Sequence, residues 1–367
     1  MSAPRPWTLI AELTYACPLR CAYCSNPLEL NGPSTPLGTA DWRRVLGEAQ
    51  ALGVMQAHFT GGEPLLYPDL GPLVGDARSL GLYTTLVTSG IPLDRARLQT
   101  LAERGLEHVQ LSIQALEPET SRAVCGRDAL AHKLRVATWV KELGMSLTLN
   151  VVVSRLNIHE LPQLIELAER IEPDRLELAH AQYLGWALRN RDRLLPSAES
   201  LAQARAVTRE AQARLGGRFE ISAVLPDYHA GRPRACMDGW ARSYLVVTPF
   251  GKLLPCHAAH ALPLDFDDVR SAPLAELWER SPALQQYRGT DWMQEPCASC
   301  SERDRDAAGC RCQAFELTGD ASAPDPACRL TPAHHLVRAA RERAENPEPS
   351  ALQLRRPPRD RVLECKS

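Results

Sequence analysis

Apolar residues in the first half of the chain alternate between two patterns. Short apolar runs rich in β-branched residues predict strands, and longer runs with apolar residues every three or four positions predict helices. Strands are predicted at 8–13, 54–59, 82–87, 106–113, 145–153 and 175–181. Two helix faces are especially clear: Leu70, Leu73, Val74, Ala77 and Leu80 on one, and Leu161, Leu164, Ile165, Ala168 and Ile171 on the other.

A glycine stands just before four of these strands, where the preceding helix should end: Gly53, Gly81, Gly105 and Gly144. Glycine adopts the left-handed conformation that closes many helices. About six strand–helix units follow one another by Asn190. Repeated units of this kind predict an α/β fold with a parallel sheet, open or closed into a barrel, whose chemistry lies at the carboxyl ends of the strands.

The rhythm breaks near residue 215. Seven cysteines lie between Cys236 and Cys328, in short loops with little periodicity. We therefore predict three parts: a barrel-like domain at 1–215, a cysteine-rich domain at 216–335, and a C-terminal helix and tail at 336–367. The tail is rich in proline and arginine, and we expect it to be solvated and partly disordered.

The number of cysteines adds a prediction about function to this fold prediction. The chain has 367 residues, 12 of them cysteine, and a formal net charge of −2. The charge balance gives no electrostatic reason to bind nucleic acid or an anionic membrane. The N-terminus lacks the pattern of a secretory signal and no run of 18 apolar residues occurs, so we expect a cytoplasmic protein. Cysteines are rarely paired there, so these point to metal or redox chemistry.

The first cysteine group is Cys17, Cys21 and Cys24, directly after the first strand. Three thiolates can hold three irons of a cubane cluster and leave the fourth iron open for another ligand. A zinc knuckle or chance spacing is the alternative. The position after the first strand of a β/α repeat favours a cofactor site.

This spacing, with Tyr23 before the third cysteine, resembles the CxxxCx-aromatic-C signature of the radical S-adenosylmethionine (SAM) superfamily. Residues 60–64, Thr-Gly-Gly-Glu-Pro, are similar to that family's GGEP motif. The resemblance implies a partial (β/α)6 TIM-like barrel and a [4Fe–4S] cluster on the three cysteines. It also implies SAM on the open iron, cleaved to a 5′-deoxyadenosyl radical, with Tyr23 among the cofactor-binding residues and Gly61, Gly62 and Glu63 in contact with the methionyl amine.

Further SAM contacts are expected at the ends of later strands. The resemblance implies ribose and carboxylate contacts from Ser89, Ser112, Gln114, Asn150 and Arg155. These positions are degenerate, and ordinary strand residues are an equal alternative for each.

The second cysteine group resembles the SPASM extension of radical SAM enzymes that modify peptides. It departs from that pattern in two places, because Asp306 stands where a cysteine is expected and Cys312 is an extra thiol. The resemblance implies a nearer auxiliary cluster on Cys236, Cys256, Cys310 and Cys312. It implies a farther cluster on Cys297, Cys300, Asp306 and Cys328.

Several alternatives stay open for this group. Asp306 can be a plain loop residue, a zinc ribbon can replace one cluster, and four ligands suit [2Fe–2S] as well as [4Fe–4S]. Cys125 and Cys365 remain unassigned.

Residues 10–30, 176–197 and 236–259 are similar to the PqqE family, the radical SAM enzymes of pyrroloquinoline quinone (PQQ) biosynthesis. Leu184 and the run Gln114-Ala115-Leu116 depart from that family, which tends to have Tyr and Gln-Asp-Ser there. The resemblance implies a C–C crosslink between Glu and Tyr side chains of the precursor peptide PqqA, with the auxiliary clusters taking the last electron. Tyr183, Asp306 and His257 are candidates by placement for the proton acceptor.

Partners follow from the same resemblance. Sixteen residues precede Cys17 and 39 follow Cys328, too few for a peptide-recognition domain at either end. We therefore expect a separate chaperone, PqqD, to deliver PqqA, and an electron donor such as flavodoxin. Alternatives are another SPASM peptide-modifying enzyme, of the thioether-forming or sulfatase-maturing type, and a non-catalytic iron–sulfur scaffold.

Overall fold

A nine-stranded sheet organises the molecule, which is described by a computed structural model over residues 3–30, 35–224, 226–348 and 350–356. The strands, numbered in chain order, are β1 Thr8–Thr14, β2 Gln56–Gly61, β3 Tyr83–Thr88, β4 His108–Ser112, β5 Ser146–Val153, β6 Arg175–His180, β7 Glu220–Ala223, β8 Tyr244–Val247 and β9 Leu253–Leu254. Their spatial order is β7-β6-β5-β4-β3-β2-β1-β8-β9. All neighbours are parallel except β8 and β9.

Helices connect and cover these strands. They are α1 Thr39–Leu52, α2 Leu70–Ser79, α3 Arg95–Glu103, α4 Pro118–Cys125, α5 Leu130–Glu142, α6 Leu161–Ile171, α7 Gly185–Arg189, α8 Arg191–Leu194, α9 Ala198–Leu215, α10 Leu274–Arg280, α11 Pro282–Gln285, α12 Arg303–Asp306, α13 Arg311–Thr318 and α14 His334–Glu345. Short 3-10 turns lie at Pro64–Leu66, Ile158–Glu160, Asp227–His229, Cys236–Asp238 and His257–Ala261.

The predicted strands and helix ends are confirmed. All six strands form within two residues of their predicted limits. Gly53, Gly81, Gly105 and Gly144 all have positive φ. The predicted face of α2 is buried from Leu70 to Ala77, against the sheet. The α/β barrel-like fold expected from the sequence is therefore the observed fold.

Two parallel strands extend the sheet beyond the six predicted ones. Four-residue β7 adds to the β6 edge, and β8 pairs in parallel with β1 between Thr8 and Ala11. Strands of four residues carry too little pattern to be read from sequence. Because β8 belongs to the cysteine-rich region, that region is joined directly to the first strand of the barrel. This join brings the later cysteines towards the loop that follows β1.

The expectation of a solvated tail is wrong at Arg355, which is only 1% exposed, whereas residues 350, 351, 353 and 356 are exposed. The side chain and backbone of Arg355 contact the loop after β1, as described below. Residues 357–367, which include Cys365, lie outside the described part. Among the described helices, none combines the length and apolar content needed to cross a membrane.

Candidate active site and cluster sites

The first cysteine group occupies the loop between β1 and α1. This loop is pinned to the end of α4, because the amides of Arg20 and Ala22 donate to the carbonyls of Cys125 and Val124 at 2.9 and 2.8 Å. The Cys24 thiol donates to Asn26 Oδ1 at 3.3 Å. The structure brings the three predicted thiols into mutual electrostatic range, all of them half-buried.

Burial controls the charge of these thiols. It raises the pKa of Cys17 to about 12, and it also raises the pKa of Cys24. A hydrogen bond with Cys125, together with burial, raises the pKa of Cys21. Thiols in this state are neutral, so binding of iron here must release protons. Cys125, which the sequence left unassigned, is thus a buried neighbour of the group.

The two glycines of the GGEP motif allow a close backbone approach. A Cβ on Gly61 would lie 2.3 Å from the Thr14 carbonyl oxygen, and one on Gly62 would lie 2.3 Å from that of Ala16. The Glu63 amide donates to Ala16 at 2.8 Å. The glycines therefore fit the end of β2 against the backbone that leads into Cys17, a requirement that the sequence alone did not reveal.

Glu63 is fully buried and its carboxylate is held by the end of β3. Its Oε1 accepts from the Thr88 hydroxyl at 2.6 Å and from the Leu65 amide at 3.3 Å. Its Oε2 accepts from the Ser89 amide at 2.9 Å and from the Ser89 hydroxyl. Burial raises the Glu63 pKa, and these hydrogen bonds oppose that rise. The predicted residues Glu63 and Ser89 are thus in direct contact.

Lys133 is a buried cation in this site that the sequence analysis missed. Its Nζ donates to the Ser112 carbonyl at 2.9 Å and to Gln114 Oε1. Burial lowers its pKa, and the charges of Glu63 and the cysteines oppose this. The sequence could have indicated its burial, because Lys133 lies on the same helix face of α5 as the apolar residues Val136, Ala137 and Val140.

The remaining residues predicted to contact SAM do not all lie together. The Tyr23 hydroxyl is within hydrogen-bond reach of Gln114, beside Lys133. Asn150 donates to Glu177 Oε2 at 2.9 Å. Arg155 lies apart, with its Nε donating to the Leu195 carbonyl at 3.0 Å and Nη2 to the carbonyl of Ala344.

Four thiols of the cysteine-rich region form a closed ring. Cys236 is within hydrogen-bond reach of Cys256 and Cys310, and Cys312 is within reach of the same two. Cys256 and Cys312 are buried and the other two half-buried. These are the four residues predicted for the nearer auxiliary cluster. The structure also adds Asp325, whose carboxylate accepts from the Cys310 amide at 2.7 Å and orients that loop.

The four residues predicted for the farther cluster are also neighbours. Cys297 lies within electrostatic range of Asp306, Cys328 and Cys300. Burial raises the pKa of Cys297 to about 11, and the nearby Asp306 carboxylate adds to the rise. The buried guanidinium of Arg311 faces the group, stacked 4.7 Å from the Trp292 ring centroid.

The side chains gathered in the two cysteine groups are mostly thiols. Across the described ranges, no three His, Cys, Asp or Glu side chains form a ready site for one metal ion. Thiolates, however, are the ligands that iron–sulfur clusters use. Four thiols in one ring and three in one loop match closed and open cluster ligation respectively.

A small cavity of about 20 Å³ lies close to the first cysteine group and to the nearer auxiliary group. It is lined by Ser25, Gln182, Leu184, Gly185, His257, Ala258, His260 and Ala261. Ser25 follows Cys24 and His257 follows Cys256, so the cavity is lined by a sequence neighbour of each group. Glu12 on β1 is buried within electrostatic range of both cysteines, and burial raises its pKa to about 8.

Comparison with known proteins agrees with this arrangement. Residues 11–168 match the radical SAM superfamily, and residues 236–301 match SPASM, an iron-sulfur cluster-binding domain. The chain is 50% identical over 337 residues to "PqqA peptide cyclase" of Granulibacter bethesdensis, covering 91% of this chain and 90% of the relative. It is 52% identical over 338 residues to the protein of that name in Methylobacterium sp. strain 4-46, covering 92% and 89%.

A solved structure shows the same fold. Streptococcus suis SuiB bound to S-adenosylmethionine aligns with a TM-score of 0.74 at 19% identity, covering 90% of this chain and 78% of SuiB. SuiB bound to its precursor peptide SuiA aligns with a TM-score of 0.72 at 18% identity, covering 90% and 77%. The match to the radical SAM superfamily and the identity to the curated relatives show an enzyme of the radical SAM type, with SAM and iron–sulfur clusters as its implied cofactors. This chain belongs to the PqqA peptide cyclase family of the radical SAM superfamily, because it is 50–52% identical to the curated relatives over about nine tenths of each chain and its fold brings the expected thiols together.

Proposed function

We propose that this enzyme joins the Glu γ-carbon and the Tyr ring of the precursor peptide PqqA by a C–C bond, an early step of PQQ biosynthesis. One observation carries the proposal: Glu12 lies within electrostatic range of both Cys24 and Cys256, so the three-thiol loop and the four-thiol ring lie near one region of the molecule. A substrate side chain bound near that region would have a radical source and an electron acceptor close to it. The identity to PqqA peptide cyclases supports the choice of peptide.

The proposal assigns Cys17, Cys21 and Cys24 to a [4Fe–4S] cluster with one open iron. When bound there, SAM would supply the radical that removes a hydrogen atom from the Glu side chain. SAM has a cationic amine and an anionic carboxylate, and the site offers a buried group of each opposite charge. Glu63 is the partner for the amine and Lys133 the partner for the carboxylate.

Closing the crosslink also requires the Tyr ring to lose one electron and one proton. The proposal gives the electron to the nearer auxiliary cluster, on the four-thiol ring, with the farther cluster as its relay. Of the three proton acceptors considered from sequence, only His257 lines the cavity. Tyr183 is buried, with its ring centroid 4.9 Å from that of Tyr228, and Asp306 lies in the farther cysteine group. The proposal therefore gives the proton to His257.

Other parts of the proposal rest on the family resemblance. PqqD delivers PqqA, a flavodoxin-type donor reduces the first cluster, and the reaction takes place in the cytoplasm. The domain limits 1–215, 216–335 and 336–367 stay predictions, as do the SAM contacts of Ser112, Gln114, Asn150 and Arg155.

Anaerobic incubation with a reductant, SAM, PqqA and PqqD tests the proposal. We expect PqqA to become lighter by two hydrogens, with the crosslink mapped to Glu and Tyr by tandem mass spectrometry, and 5′-deoxyadenosine to form. A Cys21→Ala variant should lose both products. Cleavage of SAM with a crosslink elsewhere in the peptide would indicate another SPASM chemistry. Titration of the enzyme with PqqA and PqqD that gives no ternary complex would reject the assigned chaperone.

A further inference from the structure

Residues 350–356 form a strap across the carboxyl end of the barrel. The Gln353 amide donates to Asn190 Oδ1 at 2.7 Å, and Asn190 Nδ2 donates to the Gln353 carbonyl at 2.8 Å. Asn190 Nδ2 also donates to the Ala22 carbonyl at 2.8 Å, inside the first cysteine loop. Arg193 donates to the Ser350 carbonyl. The strap and the cysteine loop are therefore held by the same asparagine.

Apolar packing and a second hydrogen bond complete this attachment. Leu352 and Leu354 pack against the buried cluster that contains Ala22. Arg20 Nε, in the cysteine loop, donates to the Arg355 carbonyl at 3.1 Å. The strap thus contacts the loop through its backbone as well as its side chains.

Arg355 is the unusual member of the strap, because its guanidinium is almost completely buried. Its Nη2 donates to the Tyr15 carbonyl, two residues before Cys17. Its Nε and Nη1 have no hydrogen-bond partner among the described residues. Its positive charge acts to lower the pKa of both Cys17 and Cys24. A buried cation without a charge partner is costly, so burial at this position favours an anion close to Arg355.

The acidic side chains near these thiols do not serve as that anion. The Glu63 carboxylate accepts hydrogen bonds from Leu65, Thr88 and Ser89, and none from Arg355. Glu12 accepts from the Tyr15 hydroxyl, and burial raises its pKa to about 8, which disfavours its charged form. Thiolates that hold a cluster are negative, and they lie within range of Arg355.

We propose that Arg355 is a fixed counter-charge for the iron–sulfur cluster of Cys17, Cys21 and Cys24, and that the strap keeps it there. This inference rests on the proposed cluster. A buried cation stabilises the reduced cluster, which carries one more negative charge, over the oxidised one. Arg355 therefore raises the reduction potential of this cluster and is a positioning residue rather than a catalytic one.

The test is a redox titration of the reconstituted enzyme, followed by electron paramagnetic resonance of the reduced [4Fe–4S] signal. Arg355→Gln removes the charge and keeps a donor, and Arg355→Lys keeps the charge. The matched control is Arg356→Gln at the exposed neighbouring residue. We expect a more negative midpoint for Arg355→Gln, a smaller shift for Arg355→Lys, and none for the control.

Two results would overturn the inference: an unchanged midpoint in Arg355→Gln, or equal shifts in the Gln and Lys variants, which would indicate packing alone. A wild-type protein without the signal would instead reject the proposed cluster. Hydrogen exchange of the unmodified chain provides a measurement independent of any variant. The amides of residues 353–355 should exchange more slowly with the cluster bound than without it, and equal exchange would count against the counter-charge.

Discussion

Replacing Gly62 by alanine tests whether the end of β2 must approach the cysteine loop closely. The new Cβ would lie 2.3 Å from the Ala16 carbonyl oxygen and 2.7 Å from that of Tyr15. Both clashing atoms belong to the backbone, so a change of side-chain rotamer cannot relieve the clash. Overpacking of this kind costs about 1–3 kcal/mol. The displaced hydrogen bond from the Glu63 amide to Ala16 adds about 1 kcal/mol. We expect Gly62→Ala to lose about 2–4 kcal/mol of unfolding free energy.

The matched control is Gly47→Ala in α1, where an added Cβ meets nothing within 4 Å. Alanine in place of a helical glycine should stabilise the protein by about 0.5–1 kcal/mol. Anaerobic urea denaturation measures both variants, and iron analysis with electron paramagnetic resonance follows the first cluster. Gly62→Ala should lose that cluster's signal before the auxiliary signals, because Cys17 follows the displaced backbone. A Gly62→Ala protein with wild-type stability and its first cluster intact would refute the close-approach argument.

Three further predictions follow from buried groups. Glu12 has a pKa of about 8 in the folded protein, against 4.5 in the unfolded chain, so the folded protein binds this proton more tightly. The free energy of unfolding of the wild-type protein should therefore fall as the pH rises from 4.5 to 8, by up to about 1.4 kcal/mol per pH unit. Glu12→Gln should flatten that slope in urea titrations of cluster-free protein, and an unchanged slope would show that another group titrates. Cys312→Ala should remove or alter one auxiliary cluster spectrum while Cys125→Ala leaves both auxiliary spectra intact; identical spectra for the two would contradict the four-thiol ring. Lys133→Met should weaken SAM binding about tenfold or more in equilibrium dialysis, and undiminished affinity would remove Lys133 from the carboxylate site.

The two buried cations near the first cysteine group differ in origin. Lys133 comes from α5 inside the barrel and already has two hydrogen-bond acceptors. Arg355 comes from the end of the described chain and keeps two donors free. In the proposed site Lys133 would meet the carboxylate of SAM, and Arg355 would meet the anionic cluster.

Local sequence pattern determined much of this protein. Strand and helix limits follow from side-chain periodicity, and the glycines with positive φ end the helices as predicted. The cysteine groups were also predictable, because ligand spacing is a local property for Cys17, Cys21 and Cys24. The proximity of Cys236, Cys256, Cys310 and Cys312 was expected only through family resemblance, since Cys236 and Cys312 are far apart in the chain.

Tertiary structure decided the rest, because it depends on contacts between distant segments. The pairing of β8 with β1 rests on a four-residue strand whose partner lies more than 200 positions earlier. Gly62 requires its small size only because residues 15 and 16 pass beside it. The sequence around Arg355 reads as a solvated tail, and only the fold shows it buried against the first cysteine loop. Periodicity records which face of an element is buried, whereas the identity of the neighbour is set by the path of the whole chain.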